Sequence, residues 1–123
     1  MKVRVYYEDT DCGGIVYHSQ YLNFCERDRS ERFFARGLMP GSDKSGFVVK
    51  KMECDFKGSA KLGDLLEVTS TLIECKGCSF WLRQAIYKEN TLLFEAKVLL
   101  AYIDKGRLSR IDGQTKKYIA KLF

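Results

Sequence analysis

Histidine, proline and tryptophan each occur once in this chain of 123 residues, and long apolar runs do not occur at all. No hydrophobic stretch approaches the roughly 20 residues that a membrane-spanning helix needs. The lone Pro40 sits in Gly37-Leu-Met-Pro-Gly-Ser-Asp, which reads as a loop. No repeat, low-complexity tract or linker breaks the chain, so residues 1–123 are expected to form one domain. Met1-Lys-Val-Arg-Val enters a strand-like pattern with no apolar export segment, which predicts a cytoplasmic protein. There is no G-x-S-x-G elbow and no Ser-His-Asp order, so a serine-hydrolase triad is not expected. P-loop and G-x-G-x-x-G patterns are missing, and ATP and NAD chemistry have no support. The cysteines (Cys12, Cys25, Cys54, Cys75 and Cys78) are odd in number and read as reduced thiols.

What is present suits a folded protein. Hydrophobic residues make up 46% of the chain and aromatics 13%, too apolar for a disordered segment. The net charge of +5 is a mild bias, with basic residues spread along the chain. Such a surface attracts an anionic ligand. A phosphate-bearing coenzyme and a nucleic acid both qualify, and charge alone does not choose.

Hydrophobic periodicity predicts an α+β layer architecture. Val3 to Tyr7 alternates as a strand. Ser19, a good N-cap residue, predicts a helix from there to about Ala35, stopped by Gly37. Its ends are apolar (Tyr21, Leu22, Phe24, Cys25, then Phe33 and Phe34). Its middle, Glu26 to Arg32, is charged, with Asp28–Arg32 and Arg27–Glu31 at pairing distance. The pattern predicts burial at the ends and polarity where the middle meets a cleft or partner. Phe47–Phe56, Leu65–Cys75, Phe80–Lys88 and Thr91–Asp104 read as strands, separated by short turns at Gly58-Ser59, Gly63-Asp64, Lys76-Gly77 and Glu89-Asn90. Leu92, Phe94, Ala96, Val98, Leu100 and Tyr102 share one face of the last. Residues 113–123 read as a short helix.

Chemistry concentrates in Glu8-Asp9-Thr10-Asp11, between a strand end and a helix start. A helix N-terminus offers free N–H groups and partial positive charge, and polarises a carbonyl oxygen placed there. A carboxylate beside it supplies a base or nucleophile for acyl transfer. Solvated loop charges are the plainer alternative. His18 reads as an accessory group, whose backbone N–H counts for more than its ring. A Cys–His dyad of Cys12 or Cys25 with His18 is a rival. Cys75-Lys-Gly-Cys78 lies at a turn between strands, without the further ligands of a zinc site or the helix of a redox pair. Gly13-Gly14 allows close backbone approach to a ligand, or a turn with positive φ.

From Val3 to Arg32 the sequence runs Val-Arg-Val-Tyr-Tyr-Glu-Asp-Thr-Asp-Cys-Gly-Gly-Ile-Val-Tyr-His-Ser-Gln-Tyr-Leu and on to Glu-Arg-Asp-Arg-Ser-Glu-Arg. It closely resembles the signature of hotdog-fold acyl-CoA thioesterases of the 4-hydroxybenzoyl-CoA thioesterase group, and within it the YbgC type associated with the Tol-Pal system. Phe47-Val-Val-Lys-Lys-Met, Leu62-Gly-Asp, Lys76-Gly-Cys-Ser79 and Asn90-Thr-Leu-Leu-Phe-Glu-Ala extend the likeness to about Asp104.

The resemblance implies a single hotdog domain, a long helix wrapped by a curved antiparallel sheet of about five strands. It implies a homo-oligomer, dimer or tetramer, with sites between subunits. Asp11 matches the catalytic aspartate, as nucleophile or general base. Tyr17 and His18 match the helix start whose N–H polarises the thioester carbonyl. Gly14 matches the loop glycine, Tyr7 and the His18 ring line the site, and Glu26 matches a helix acid. Lys50, Lys51, Lys61, Lys76 and Ser79 are the candidates for holding coenzyme A, which is part of the substrate. No cofactor, no metal and no nucleic acid are expected. Cys12 departs from the family pattern, which has a small residue or proline there. The rival from another class is a non-catalytic adaptor for acyl-carrier protein or phospholipid-synthesis enzymes. A dehydratase would need a different His/Glu arrangement.

Overall fold

The computed structural model describes all 123 residues. Its elements in chain order are β1 (Lys2–Arg4), α1 (Gln20–Phe34), β2 (Ser45–Phe56), β3 (Leu65–Lys76), β4 (Ser79–Lys88), β5 (Thr91–Asp104), β6 (Arg107–Leu108) and α2 (Gly113–Leu122). The sheet is antiparallel throughout, in the order β1-β3-β4-β5-β2, with β6 paired to β5. This is the expected α+β layout, plus the two-residue β6. Single-residue register shifts interrupt β2–β5 at Lys50, β3–β4 at Ile73 and β4–β5 at Leu93. Bulges of this kind bend a strand and raise its twist, which suits a sheet that curls around a helix.

The expected strand to Tyr7 stops at Arg4. Val5 is buried, but Tyr7 opens a 3-10 turn, Tyr7–Asp9, and points outward with 81% of its surface exposed. Ser19 is also corrected: it sits in helical conformation and caps nothing with its side chain. The helix begins with a turn in which the Gln20 N–H donates to the Tyr17 carbonyl. The stop at Gly37 stands, with φ +70. The tail helix forms as expected. Asp112 caps it by accepting from the Thr115 N–H at 2.7 Å, and Ile119 and Leu122 turn inward. No helix is long and apolar enough to cross a membrane.

The charged middle of α1 meets a cleft as expected, with Glu26, Arg29 and Ser30 lining a cavity, but one of its acids is buried. Asp28 is 2% exposed, and its carboxylate accepts from the Ser70 hydroxyl on β3. Gln84 on β4 donates to Ser70 Oγ (2.6 Å) and to the Cys25 carbonyl (3.0 Å), and its own oxygen accepts from Arg29 (2.8 Å). Arg32 stands 3.5 Å from Asp28. A buried carboxylate is tolerated when it is paired and hydrogen-bonded. The Arg27–Glu31 pair does not form. Arg27 instead lies over the Phe24 ring, 5.8 Å from its centroid.

At the other end of α1, the Tyr21 ring stacks on Phe94 with centroids 5.3 Å apart, and its hydroxyl accepts from the Ala60 N–H at 3.0 Å. Phe94 and Ala60 are fully buried. Phe94→Ala should therefore destabilise the fold by about 3–5 kcal/mol. Tyr21→Phe, which orphans a buried N–H, should cost about 1–3 kcal/mol. Urea denaturation monitored by circular dichroism measures both.

Candidate active site

A miniature ladder joins the acidic loop to the start of α1. Thr10 and Val16 form one antiparallel bridge, and Ile15 and Lys61 another. The Asp11 N–H donates to the Ile15 carbonyl (2.9 Å), and the Tyr17 N–H donates to the Asp9 carbonyl (2.9 Å). Gly14 closes the tip with φ +81, and its N–H donates to the Asp11 carbonyl at 3.1 Å. Only glycine holds that φ without strain.

Asp11 is half-buried on this tip. Its Oδ1 accepts from the Gly13 N–H at 2.8 Å, and a Cβ on Gly13 would stand 3.1 Å from that oxygen. Gly13 is thus a residue that lets the carboxylate fold back onto the backbone. Oδ2 takes no hydrogen bond from the chain.

The other acid of the loop has a different role. Asp9 is 2% exposed. Its Oδ2 accepts from the Tyr6 N–H and its Oδ1 from Gln20 Nε2, each at 2.8 Å. Through its side chain and carbonyl, Asp9 ties the end of the first strand segment, the ladder and the first residue of α1 to one another. From the sequence Asp9 was one acid of the Glu8–Asp11 cluster with no role of its own, and Gln20 was not singled out. The missing signal was the glutamine eleven positions on.

The structure separates the two helix-start amides. Tyr17 spends its N–H on Asp9, whereas the His18 N–H donates to no atom of the chain. Of the two, only His18 can offer its amide to a ligand. The Tyr17 ring lies against the His18 ring (4.5 Å), and His18 faces Phe56 edge-on (6.3 Å). Phe56 then contacts Tyr21 and Phe94.

Of the candidate binding residues, Gly14 and Lys61 are at the loop itself, Lys61 through its bridge to Ile15. Tyr7 is one turn away and exposed. Lys50 is the bulged residue of β2, and Lys51 pairs with Glu53 at 3.4 Å. Lys76 and Ser79 close the far end of the β3–β4 hairpin. At about 3.3 Å per residue, the length of β3 carries them roughly 36 Å from Leu65. One chain does not bring them to Asp11. None of the five main cavities of the chain reaches Asp11 or His18.

The cysteine alternatives lose ground. Burial pushes the Cys25 thiol up to about 12, despite Arg29 nearby, so it is no thiolate at neutral pH. Cys75 and Cys78 are free thiols flanking a turn. No three His, Cys, Asp or Glu side chains gather as metal ligands.

The sequence profile of the thioesterase superfamily matches residues 13–95. The acyl-CoA thioesterase YbgC of Helicobacter pylori is 37% identical over 126 residues, covering 100% of this chain and 95% of its own. The acyl-CoA thioester hydrolase YbgC of Escherichia coli O6:H1 is 44% identical over 108 residues, 83% of this chain and 79% of its own. A probable thioesterase from Bartonella henselae superposes with a TM-score of 0.83 at 35% identity, covering 91% of this chain and 97% of its own.

Two measurements check the loop. Asp9→Ala should lower stability by about 1–3 kcal/mol, because two donors lose their acceptor, and should speed amide exchange at Tyr6 and Tyr17. The turn below Lys61 is pH-sensitive. Burial works against charge on Asp64, but the Lys61 N–H (2.9 Å) and the Lys88 ammonium (3.1 Å) outweigh it and hold its carboxyl below the usual carboxylate range. The stability this adds is present above the unfolded carboxylate pKa and is lost as pH falls through the lower folded value. Asp64→Asn should flatten the acid limb of the stability curve below about pH 4, measured by thermal unfolding across pH.

Proposed function

The chain belongs to the thioesterase superfamily, among relatives of the YbgC type, and we propose that it hydrolyses acyl-CoA to the free acid and coenzyme A with Asp11 as the reacting carboxylate. The observation that carries this is that the segment Asp11–His18, folded back on itself through the Thr10–Val16 bridge, leaves a group without a partner at each end: Asp11 Oδ2, which accepts nothing, and the His18 N–H, which donates to nothing.

The chemistry follows from those two groups. The His18 N–H, at the positive end of α1, donates to the thioester carbonyl oxygen and stabilises the charge that develops there. Asp11 then acts in one of two ways. As a nucleophile, its carboxylate attacks the carbonyl carbon and the C–S bond breaks. Coenzyme A leaves as the thiolate and takes up a proton, and water hydrolyses the mixed anhydride. As a general base, Asp11 takes a proton from water as the water oxygen attacks the same carbon; the C–S bond then breaks, the acid is released, and the coenzyme A thiolate takes up the proton that Asp11 holds. Neither route asks for a resident cofactor, since coenzyme A arrives with the substrate.

In this reading the site is completed by a second copy. β2 has only β5 beside it, so its outer edge carries twelve residues of unpaired backbone. Val48 and Val49 are exposed on it at 49% and 44%. A long apolar edge invites strand pairing, and a partner there would wall the open Asp11 loop. Lys50, Lys51 and Lys61, with Lys76 and Ser79 from whichever chain lies near, would hold the coenzyme A phosphates, while Gly14, Tyr7 and Tyr17 would shape the mouth. The working state is then a cytoplasmic homodimer or homotetramer beside the Tol-Pal system, with acyl-carrier protein as a second partner.

Asp11→Asn and Asp11→Ala should cut turnover by about 10²–10⁴-fold on a panel of short, long and aromatic acyl-CoAs, with an unchanged unfolding midpoint. Wild-type rates in Asp11→Ala would overturn the assignment. Val49→Lys should shift the sedimentation coefficient toward one chain and lower activity in proportion.

A further inference from the structure

The basic residues are spread along the chain, but the net charge is not. Residues 105–123 hold Lys105, Arg107, Arg110, Lys116, Lys117 and Lys121 against Asp112 alone, and the other 104 residues carry fifteen cations and fifteen acids. The chain's entire +5 therefore sits on the segment that forms β6 and α2. All six cations are exposed and none enters an ion pair. Ile119 and Leu122 turn into the core; Lys117 stands opposite them, with Lys116 on the flank toward the β3–β4 turn and Lys121 on the flank toward α1, all three exposed.

A second feature lies at the same end. The last turn of α1 is stitched to α2: Arg36 donates to the Lys121 carbonyl (2.8 Å), Arg32 to the Leu122 carbonyl (3.3 Å), and the Phe33 and Tyr118 rings meet at 6.2 Å. Directly after that turn, Leu38 is tied back by its N–H to the Phe33 carbonyl. The tip it forms exposes Leu38 (41%) and Met39 (71%), beside Phe34 (46%). Apolar side chains stand outward on a loop, next to a face of unpaired cations.

We propose that this end of the molecule docks on an anionic lipid bilayer, with the Lys116, Lys117 and Lys121 face against acidic headgroups and Leu38 and Met39 in the interfacial layer. Cations alone would serve an acidic protein equally well. The outward apolar tip singles out the bilayer, because it gains only where hydrocarbon is available beside the negative charge. A cavity of about 140 Å³ lies under the same loop, walled by Pro40, Phe33, Phe47, Phe80 and Phe123 on one side and by Glu26, Arg29 and Ser30 of α1 on the other. That is about the room a single benzene ring takes. The surface does not depend on Asp11 or on the thioesterase reading.

The test is sedimentation of the full chain with vesicles of phosphatidylcholine alone and of phosphatidylcholine mixed with phosphatidylglycerol. Binding should require phosphatidylglycerol and fall steeply as salt approaches about 1 M, where the Debye length is about 3 Å. Lys116→Glu/Lys117→Glu/Lys121→Glu should weaken it at least about tenfold. Leu38→Ser/Met39→Ser should weaken it severalfold while leaving its salt dependence. Both variants should keep the wild-type unfolding midpoint and the same hydrolysis of a water-soluble acyl-CoA. Equal binding to both vesicle types would overturn the proposal, and so would binding that survives the charge reversal. Saturable binding of an acidic carrier protein without any vesicle binding would assign the surface to a protein instead.

Discussion

A buried carboxylate with its acceptors filled is the constraint on which this end of the molecule depends. Asp9 can be dehydrated only because Tyr6 and Gln20 donate to it. Meeting that demand pulls the start of α1 against the acidic loop and takes the Tyr17 amide out of play. One oxygen of Asp11 and the N–H of His18 stay without partners in the chain. Asp11 and His18 are joined through a short ladder in which Thr10 bridges Val16 and Ile15 bridges Lys61, which holds both more firmly than a flexible loop would.

The same logic recurs in the middle of α1. Asp28 and Gln84 are buried polar groups whose partners come from α1, β3 and β4 together. The network pins the helix to the β3–β4 side of the sheet. The aromatic cluster of Tyr21, Phe56 and Phe94 holds its other end. Between the helix and β2 the packing is looser, and the cavity under Pro40 opens there. The helix is thus fastened by polar contacts on one side and stands over a mixed polar and apolar space, lined by Glu26, Arg29 and Ser30 as well as aromatic rings, on the other.

Legibility in the sequence followed the range of the interactions involved. β5 was readable to its last residue, Thr91–Asp104, because alternation along one strand is a local pattern. The tail helix was read at 113–123 and forms at Gly113–Leu122, with Asp112 as a cap that the structure revealed. The first strand was not: Val3 to Tyr7 alternates, yet Tyr7 turns away because the backbone must bend to deliver Asp9 to Gln20. The charged centre of α1 looked like a polar face, and its burial hinges on a serine forty-two positions further on.

By itself the sequence determined the fold class, the order and extent of the long strands, and the family resemblance with its Asp11 motif. Those rest on residue periodicity and on a contiguous run of residue types. Only the tertiary structure decided which aspartate of the loop is buried, which helix-start amide is free, which lysines lie near the loop, and that the exposed cations of α2 share an end with Leu38 and Met39. The physical reason is that a carboxylate or an amide carries no mark of its role. Its availability is set by whether distant segments bring a partner within about 3 Å, and that is settled only once the chain has folded.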